Sequence, residues 1–363
     1  MEVKIKELIE KHKDDKDLTG EIDQIIPGMD WSEADLRGYD LSGLQLSNLR
    51  KKADFHNTNL TDANLRGVLL TGANLRNSRL IKAKLQKALL IKADLQKASL
   101  NYAYLQETNL IEADFKKAMM MKTSLQRADL MEADLSGAIL IGANLRFASL
   151  VGTILNGASL VRANLREADF NEKTQLKNVN LYQSKLMGST LKNAYQNMDP
   201  IIIQERNKKY AIARDIYMNL KTYFNQEGMY DIAGEYYYRE KLMETHCICS
   251  KRKYSRWLFN HFLNITAGFG EKPIRVLFWW IVIIMGFALI YFNGQGLMIS
   301  GENMVHAETF WECLYFSIVT FTTLGFGDIA PKPGFRLFAS VEALLGAILM
   351  AMFIYVFSRK MGR

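Results

Sequence analysis

Thr322-Thr323-Leu324-Gly325-Phe326-Gly327-Asp328 is the run on which the reading of this chain turns. Two glycines alternate with bulky residues behind a pair of threonines, and a carboxylate closes the run. Gly325 and Gly327 can adopt backbone conformations closed to other residues. The run follows a short apolar segment, Phe310–Phe321, and lies between two long apolar stretches, Ile274–Phe292 and Phe335–Phe357. The first is just long enough as a helix to cross roughly 30 Å of hydrocarbon, and the second crosses it comfortably. Phe310–Phe321 is too short to cross. It suits a re-entrant helix, which is tolerated at membrane depth only where protein or water covers its ends.

Charge orients these segments. Between Arg275 and Lys332 there is no Lys or Arg, whereas Lys251–Arg256 precede the first span and Arg359, Lys360 and Arg363 follow the second. The positive-inside rule then puts both termini in the cytoplasm and turns the loop through Glu302 and Glu308 outward. Met1–Lys16 is charged and has no apolar core segment, so no secretory leader is expected. The formal net charge of +8 over 363 residues points to an anionic partner surface, with the lipid headgroups as the simplest candidate and no nucleic acid required. The three cysteines, Cys247, Cys249 and Cys313, supply no disulfide framework, and Cys247 and Cys249 beside His246 fall short of a four-ligand zinc set. They read as thiols in a reducing compartment. No nucleophile–His pairing and no phosphate-cradling glycine loop argues for an enzyme.

Helix, glycine-punctuated loop and helix, with that loop sequence, resemble the two-transmembrane potassium channels. The resemblance implies a pore domain over 273–363, with spans at 274–292 and 335–357, a pore helix at 310–322 and a selectivity filter at 323–328. It implies that carbonyls of Thr323, Leu324, Gly325 and Phe326 replace the hydration shell of K+, the permeant ion, with no further cofactor. Asp328 would stand at the outer mouth, and Thr322 and Glu342 would support the pore. One such loop per chain makes a quarter of a pore, so a homotetramer is expected. Leu324 stands where Val or Ile is usual, and Phe326 where Tyr is usual, so the phenol that would bond the pore helix is absent. Gly346 falls mid-span, where a gating hinge occurs in this family; a glycine there also permits close helix packing. Glu342, ionisable within the span, either faces the cavity or is buried behind the pore helix.

The larger part of the chain has another period. From Phe55 to Phe170 every fifth residue is Leu, Phe or Met, and two residues earlier stands a small one, mostly Ala, with Thr58, Val68 and Ser78 among the replacements. The period breaks near Lys51 and slips once after Phe170. Five matches neither a helix nor a strand, but it fits a solenoid that turns a corner every five residues. The pattern over 31–194 resembles the pentapeptide repeats, which implies a right-handed, four-sided β-helix. Lys82, Lys87, Lys92 and Lys97 hold one register position on four successive sides. They form either a solvated collar or a patch for an anionic ligand or lipid.

Residues 1–30 read as a lead-in, and 195–250 as a helical hairpin linker around Gly228, from Ile212, Ile216, Leu220 and Phe224 at helical spacing and a second segment from Tyr230. Residues 251–272 read as an interfacial amphipathic segment whose Lys251–Arg256 cluster meets anionic headgroups. The fold class is thus multidomain: β-helix, α-helical hairpin and two-transmembrane pore. The function expected is passive, selective K+ conduction across the cell (inner) membrane. The alternatives are a weakly selective cation channel and a membrane-anchored repeat scaffold. No Arg-periodic helix precedes the pore and the chain as given stops at Arg363, so control is expected to enter from the N-terminal side, through the linker and interfacial segment, with a cytoplasmic effector possible.

Overall fold

A computed structural model describes residues 2–21, 25, 27–48, 50–250, 254–299, 305–306 and 309–361. The chain divides into two compact units, Met1–Met229 and Tyr230–Arg363.

Unit 1 is a column of stacked coils. Parallel bridges pair Asn59 with Arg79, Arg79 with Ser99 and Ser99 with Met119. Each step is therefore four pentapeptides, one for each side of a four-sided coil. Backbone hydrogen bonds tie each coil to the next: Leu80 N–H donates to Ser99 O at 2.7 Å, and Ser99 N–H to Ser78 O at 2.9 Å. Inside, the large fifth residues stack as Leu60, Leu80, Leu100, Met120 and Leu140, all fully buried, with the alanines between them. The corner residue after each side takes a left-handed φ, from 57° to 59° at Lys82, Lys87, Lys92 and Lys97.

Both breaks in the period have structural reasons. The first coils are longer, with Asp30 bridging Asp54 and Asp35 bridging Asn59. The added residues fall beside β1 (Gln45–Ser47), which pairs in parallel with β2 (Leu69–Leu70) through a shifted register. After Phe170 one extra residue enters as a turn, and Asn171 Oδ1 accepts the N–H of Gly152 at 2.9 Å. The column also begins before Trp31. Asp17 bridges Asp40, and Leu18 is fully buried. Ahead of it α1 (Glu2–Lys11) buries Ile5 and Leu8, and Tyr39 Oη donates to Ile9 O at 2.9 Å.

The other end is covered by α2 (Ile203–Arg206) and α3 (Tyr210–Gln226), whose Ile216, Tyr217, Leu220, Tyr223 and Phe224 are buried. Tyr223 Oη donates to Ser189 O at 2.8 Å and accepts the Lys192 N–H at 3.0 Å, and Asn219 Nδ2 donates to Ser184 O at 2.8 Å. An open end would expose unpaired strand groups, and α3 covers it.

Where threonine replaces the small inner residue it adds a bond between coils. Thr58 Oγ1 donates to Trp31 O at 2.7 Å, Thr108 to Leu85 O at 2.9 Å and Thr123 to Leu100 O at 2.8 Å. Thr123→Val keeps the shape and removes the donor, so it should lower stability by about 1 kcal/mol. Chemical unfolding of the full chain followed on the β-helix transition measures this; an unchanged midpoint would show that the bond contributes nothing.

Unit 2 opens with α4 (Tyr230–Ser250), so the two helices that flank Gly228 belong to different units. Next comes α5 (Tyr254–Ala267), whose Leu258, Phe259, Phe262 and Ile265 are exposed, the face an interfacial helix offers to lipid. Lys251, Arg252 and Lys253 lie outside the described residues. Three consecutive left-handed residues, Gly268, Phe269 and Gly270, reverse the chain, and Pro273 starts α6 (Pro273–Asn293). The last carbonyls of α5 are capped from α6: Arg275 Nη1 donates to Asn264 O at 2.7 Å and Trp279 Nε1 to Ile265 O at 3.2 Å.

Beyond α6 an antiparallel three-stranded sheet of order β4-β3-β5 forms from β3 (Leu297–Ile299), β4 (Val305–His306) and β5 (Ile329–Pro331). Sequence reading had no strand there, since two- and three-residue strands leave no periodicity to detect. Between β4 and β5 lies α7 (Phe310–Phe321), and α8 (Arg336–Met361) closes the unit. Helices α6 and α8 are long and apolar enough to cross a membrane, and α7 is not. Helix α7 is wedged between them, with Trp280 of α6 meeting Phe321 of α7 at 5.9 Å and Phe353 of α8 at 5.1 Å between ring centroids.

Candidate functional site

The site is built on the C-terminal end of α7. Its other end is secured by a capping box, in which the Glu312 N–H donates to Thr309 Oγ1 at 3.3 Å and the Thr309 N–H to Glu312 Oε2 at 3.0 Å. The C-terminal end closes in a Schellman turn: Leu324 N–H donates to Val319 O at 3.0 Å and Thr323 N–H to Thr320 O at 3.1 Å. Such a turn needs a left-handed residue, usually glycine, and here it is Thr323 at φ 58°. A β-branched residue there is strained by about 1 kcal/mol or more, and strain of that kind collects at working sites. Gly325 and Gly327 follow at φ 60° and 79°, while Leu324 and Phe326 between them are not left-handed. Alternating backbone of this kind turns successive peptide groups to a common side. All six residues 323–328 are exposed on the single chain.

The supporting residues come from all three helices. Thr322 caps α7 and donates its Oγ1 to Ile318 O at 2.7 Å. Phe326 provides no phenol to brace the loop from its own side. Gly346 of α8 lies against the last carbonyl of α7, where an added Cβ would stand 2.0 Å from Phe321 O. Glu342, one turn earlier, is fully buried. Tyr291 Oη of α6 donates to its Oε2 at 2.7 Å, and Ser317 Oγ of α7 bonds its Oε1. Ser317 Oγ also lies 2.9 Å from Ile284 O, so one hydroxyl joins α6, α7 and α8. Tyr291 and Ser317 were missed from sequence, being ordinary residues on segments already assigned to spans.

The lysines behave differently. Lys82, Lys87, Lys92 and Lys97 stand at four successive corners of one coil, facing four directions, so they do not converge on a common patch. Two have acidic neighbours one coil further on, with Lys92 Nζ 3.3 Å from Glu112 and Lys87 Nζ 3.8 Å from Glu107. Looking 20 residues ahead in sequence would have found both partners.

Two helices long and apolar enough to cross a membrane, holding a shorter apolar helix and a glycine-alternating loop, make the layout of a two-transmembrane channel domain. Comparison with known proteins agrees: residues 276–363 match the ion-channel family, and residues 51–86, 88–127, 98–137 and 138–172 match pentapeptide repeats. The chain therefore joins a pentapeptide-repeat β-helix to a two-transmembrane ion-channel domain. It is similar to Protein LctB of Bacillus caldotenax, 30% identical over 83 residues, a stretch that is 21% of this chain and 62% of that relative's length. Among solved structures, HetL from Nostoc sp. strain PCC 7120 is 26% identical, over 48% of this chain and 86% of HetL, with a TM-score of 0.24. The fluoroquinolone resistance protein QnrB1, trypsin-treated, is 26% identical over 49% of this chain and 83% of its own, at a TM-score of 0.27. The four-sided coil rests on this chain's own ladder of bridges.

Proposed function

We propose that this protein conducts K+ passively and selectively through a homotetrameric pore in the cell (inner) membrane, with both termini cytoplasmic. The observation that carries the reading is the sign alternation of φ across Thr323–Gly327 at the C-terminal end of α7. Carbonyls turned to one side in four copies form a cage that replaces the water around a cation. The negative end of the α7 dipole points the same way. The tetramer is supported by the apolar side chains left exposed on one chain, Leu324, Phe326, Phe338, Leu344 and Ile348, which further copies would cover. Lys272, Arg275, Arg359 and Lys360 at one end of the spans support the cytoplasmic assignment. No catalytic role is proposed, and permeant K+ is the only ion required.

A second reading, a weakly selective cation channel, is favoured by Phe326. Both readings are tested by Gly325→Ala in liposomes loaded for K+ or Na+ flux. An added Cβ at Gly325 meets nothing within 4 Å in its own chain, and alanine there would be forced to φ 60°. Flux should fall at least tenfold. Comparable K+ and Na+ flux in the unaltered protein would decide for the second reading. No flux from the unaltered protein would leave the pore domain as an anchor for a repeat scaffold.

A further inference from the structure

Two adjacent tyrosines of α4 grip the ends of two different spanning helices. Tyr237 carries the Arg359 guanidinium over its ring, 4.5 Å from the centroid, and Arg359 is paired with Glu271 at 3.1 Å. Tyr238 carries Lys272 Nζ at 4.3 Å and Arg275 at 5.7 Å, and meets Phe269 at 6.1 Å. Arg359 is in the last turn of α8, whereas Lys272 and Arg275 flank the start of α6. Room for the first grip is left by Gly270, where a Cβ would stand 3.3 Å from Arg359 Nη1 and 3.6 Å from Tyr355.

Close packing does not make this connection. Between α4 and α8 opens a cavity of about 460 Å³, lined by Tyr237, Lys241, Leu263, Met352, Tyr355 and Val356 among others. Across this gap the Arg359 side chain reaches the Tyr237 ring of α4. Helix α4 is also the first element of unit 2, so along the chain it is where any displacement of the β-helix unit enters.

We propose that α4 is a two-point clamp, in which Tyr237 sets the end of α8 and Tyr238 the start of α6, and that moving α4 changes how often the pore opens. This rests on the channel reading above. It differs from a route through the interfacial segment into the first span, because α4 reaches the second span directly. Each grip is a cation–π contact whose loss shifts a two-state equilibrium by roughly three- to thirty-fold.

The experiment compares full-length Tyr237→Leu, Tyr238→Leu and Arg359→Gln in liposomes, singly and in pairs. Tyr237→Leu should change the open fraction by that factor in the unaltered background and not at all on top of Arg359→Gln. Tyr238→Leu should keep its full effect on top of Arg359→Gln, and the K+ to Na+ ratio should stay constant throughout. Amide exchange supplies a readout independent of conduction: residues 355–361 should exchange faster in Tyr237→Leu and Arg359→Gln but not in Tyr238→Leu. Unchanged exchange in Tyr237→Leu, or an undiminished Tyr237→Leu effect in the Arg359→Gln background, overturns the clamp. If the unaltered protein passes no ions the channel reading falls, and the exchange pattern still judges the clamp.

Discussion

Gly346→Ala should dislodge the end of α7 and cost the protein both stability and filter geometry. In a helix interior alanine is favoured over glycine by about 1 kcal/mol, so propensity alone predicts a gain. The local contact reverses the sign. An added Cβ would stand 2.0 Å from Phe321 O, 2.8 Å from Phe321 C and 3.0 Å from Phe321 Cα. These are backbone atoms at the end of a helix wedged between two others, so no side-chain rotation relieves them. Overpacking a close-packed interior typically costs about 1–3 kcal/mol, and a backbone clash of this depth belongs at or above the upper end. Phe321 directly precedes Thr322 and Thr323, so the displacement passes into the Schellman turn and the left-handed residues beyond it. The expected result is a thermal midpoint lowered by several degrees, K+ flux down at least tenfold and a smaller K+ to Na+ ratio. Gly286→Ala is the control, since a Cβ at that glycine of α6 meets nothing within 4 Å, and it should be neutral or slightly stabilising. The hinge and packing readings of Gly346 separate here. If Gly346→Ala matched the control in stability and selectivity while changing only the open fraction, Gly346 would be a hinge.

What could be read beforehand followed from periodicity and length. Expected spans at 274–292 and 335–357 became α6 at Pro273–Asn293 and α8 at Arg336–Met361, because apolar runs of that length have few alternative structures. The five-residue period predicted the four-sided coil, since one large and one small inward residue per side is a constraint repeated along the whole column. Contacts between distant residues were not legible. Glu342 meets Tyr291 and Ser317, which lie 51 and 25 residues away on segments whose composition already had a simpler explanation. Nothing in the spacing of Tyr236-Tyr237-Tyr238 pointed to Lys272 or Arg359. The resemblance gives Thr323 a carbonyl turned toward the ion. That it also occupies the left-handed position of a helix-terminating turn was hidden, because threonine is among the residues least suited to that position. The column's true start at Asp17 was hidden for a different reason: the five-residue period that runs through Trp31, Leu36, Leu41 and Leu46 does not reach back to Leu18, thirteen residues before Trp31.

Glu342→Gln and Glu342→Ala should differ sharply. The carboxyl is fully buried among α6, α7 and α8, and its surroundings can be counted bond by bond. Tyr291 Oη spends its one proton on Oε2. Ser317 has one hydroxyl proton and two acceptors in reach, Ile284 O at 2.9 Å and Glu342 Oε1, so it cannot serve both. With an ionised carboxylate the group is one donor short. An amide at 342 supplies that donor, giving a proton to Ser317 Oγ while Ser317 gives its own to Ile284 O and the amide oxygen still accepts from Tyr291. Glu342→Gln should therefore stay within about 1 kcal/mol of the unaltered protein and keep its flux. Glu342→Ala leaves the Tyr291 hydroxyl without its acceptor and opens a void at the junction of three helices. The two effects together should cost about 3–5 kcal/mol, most of the stability of a marginal fold. Tyr291→Phe, which removes one donor and no volume, should lie between them at about 1–2 kcal/mol. Thermal survival of the detergent-solubilised assembly ranks the three, with K+ flux measured in parallel. A Glu342→Gln protein as stable as the unaltered one but with flux reduced tenfold would mean that a negative charge at this position acts on the permeating ion, and Glu342 would belong to the cavity rather than to the scaffold behind α7.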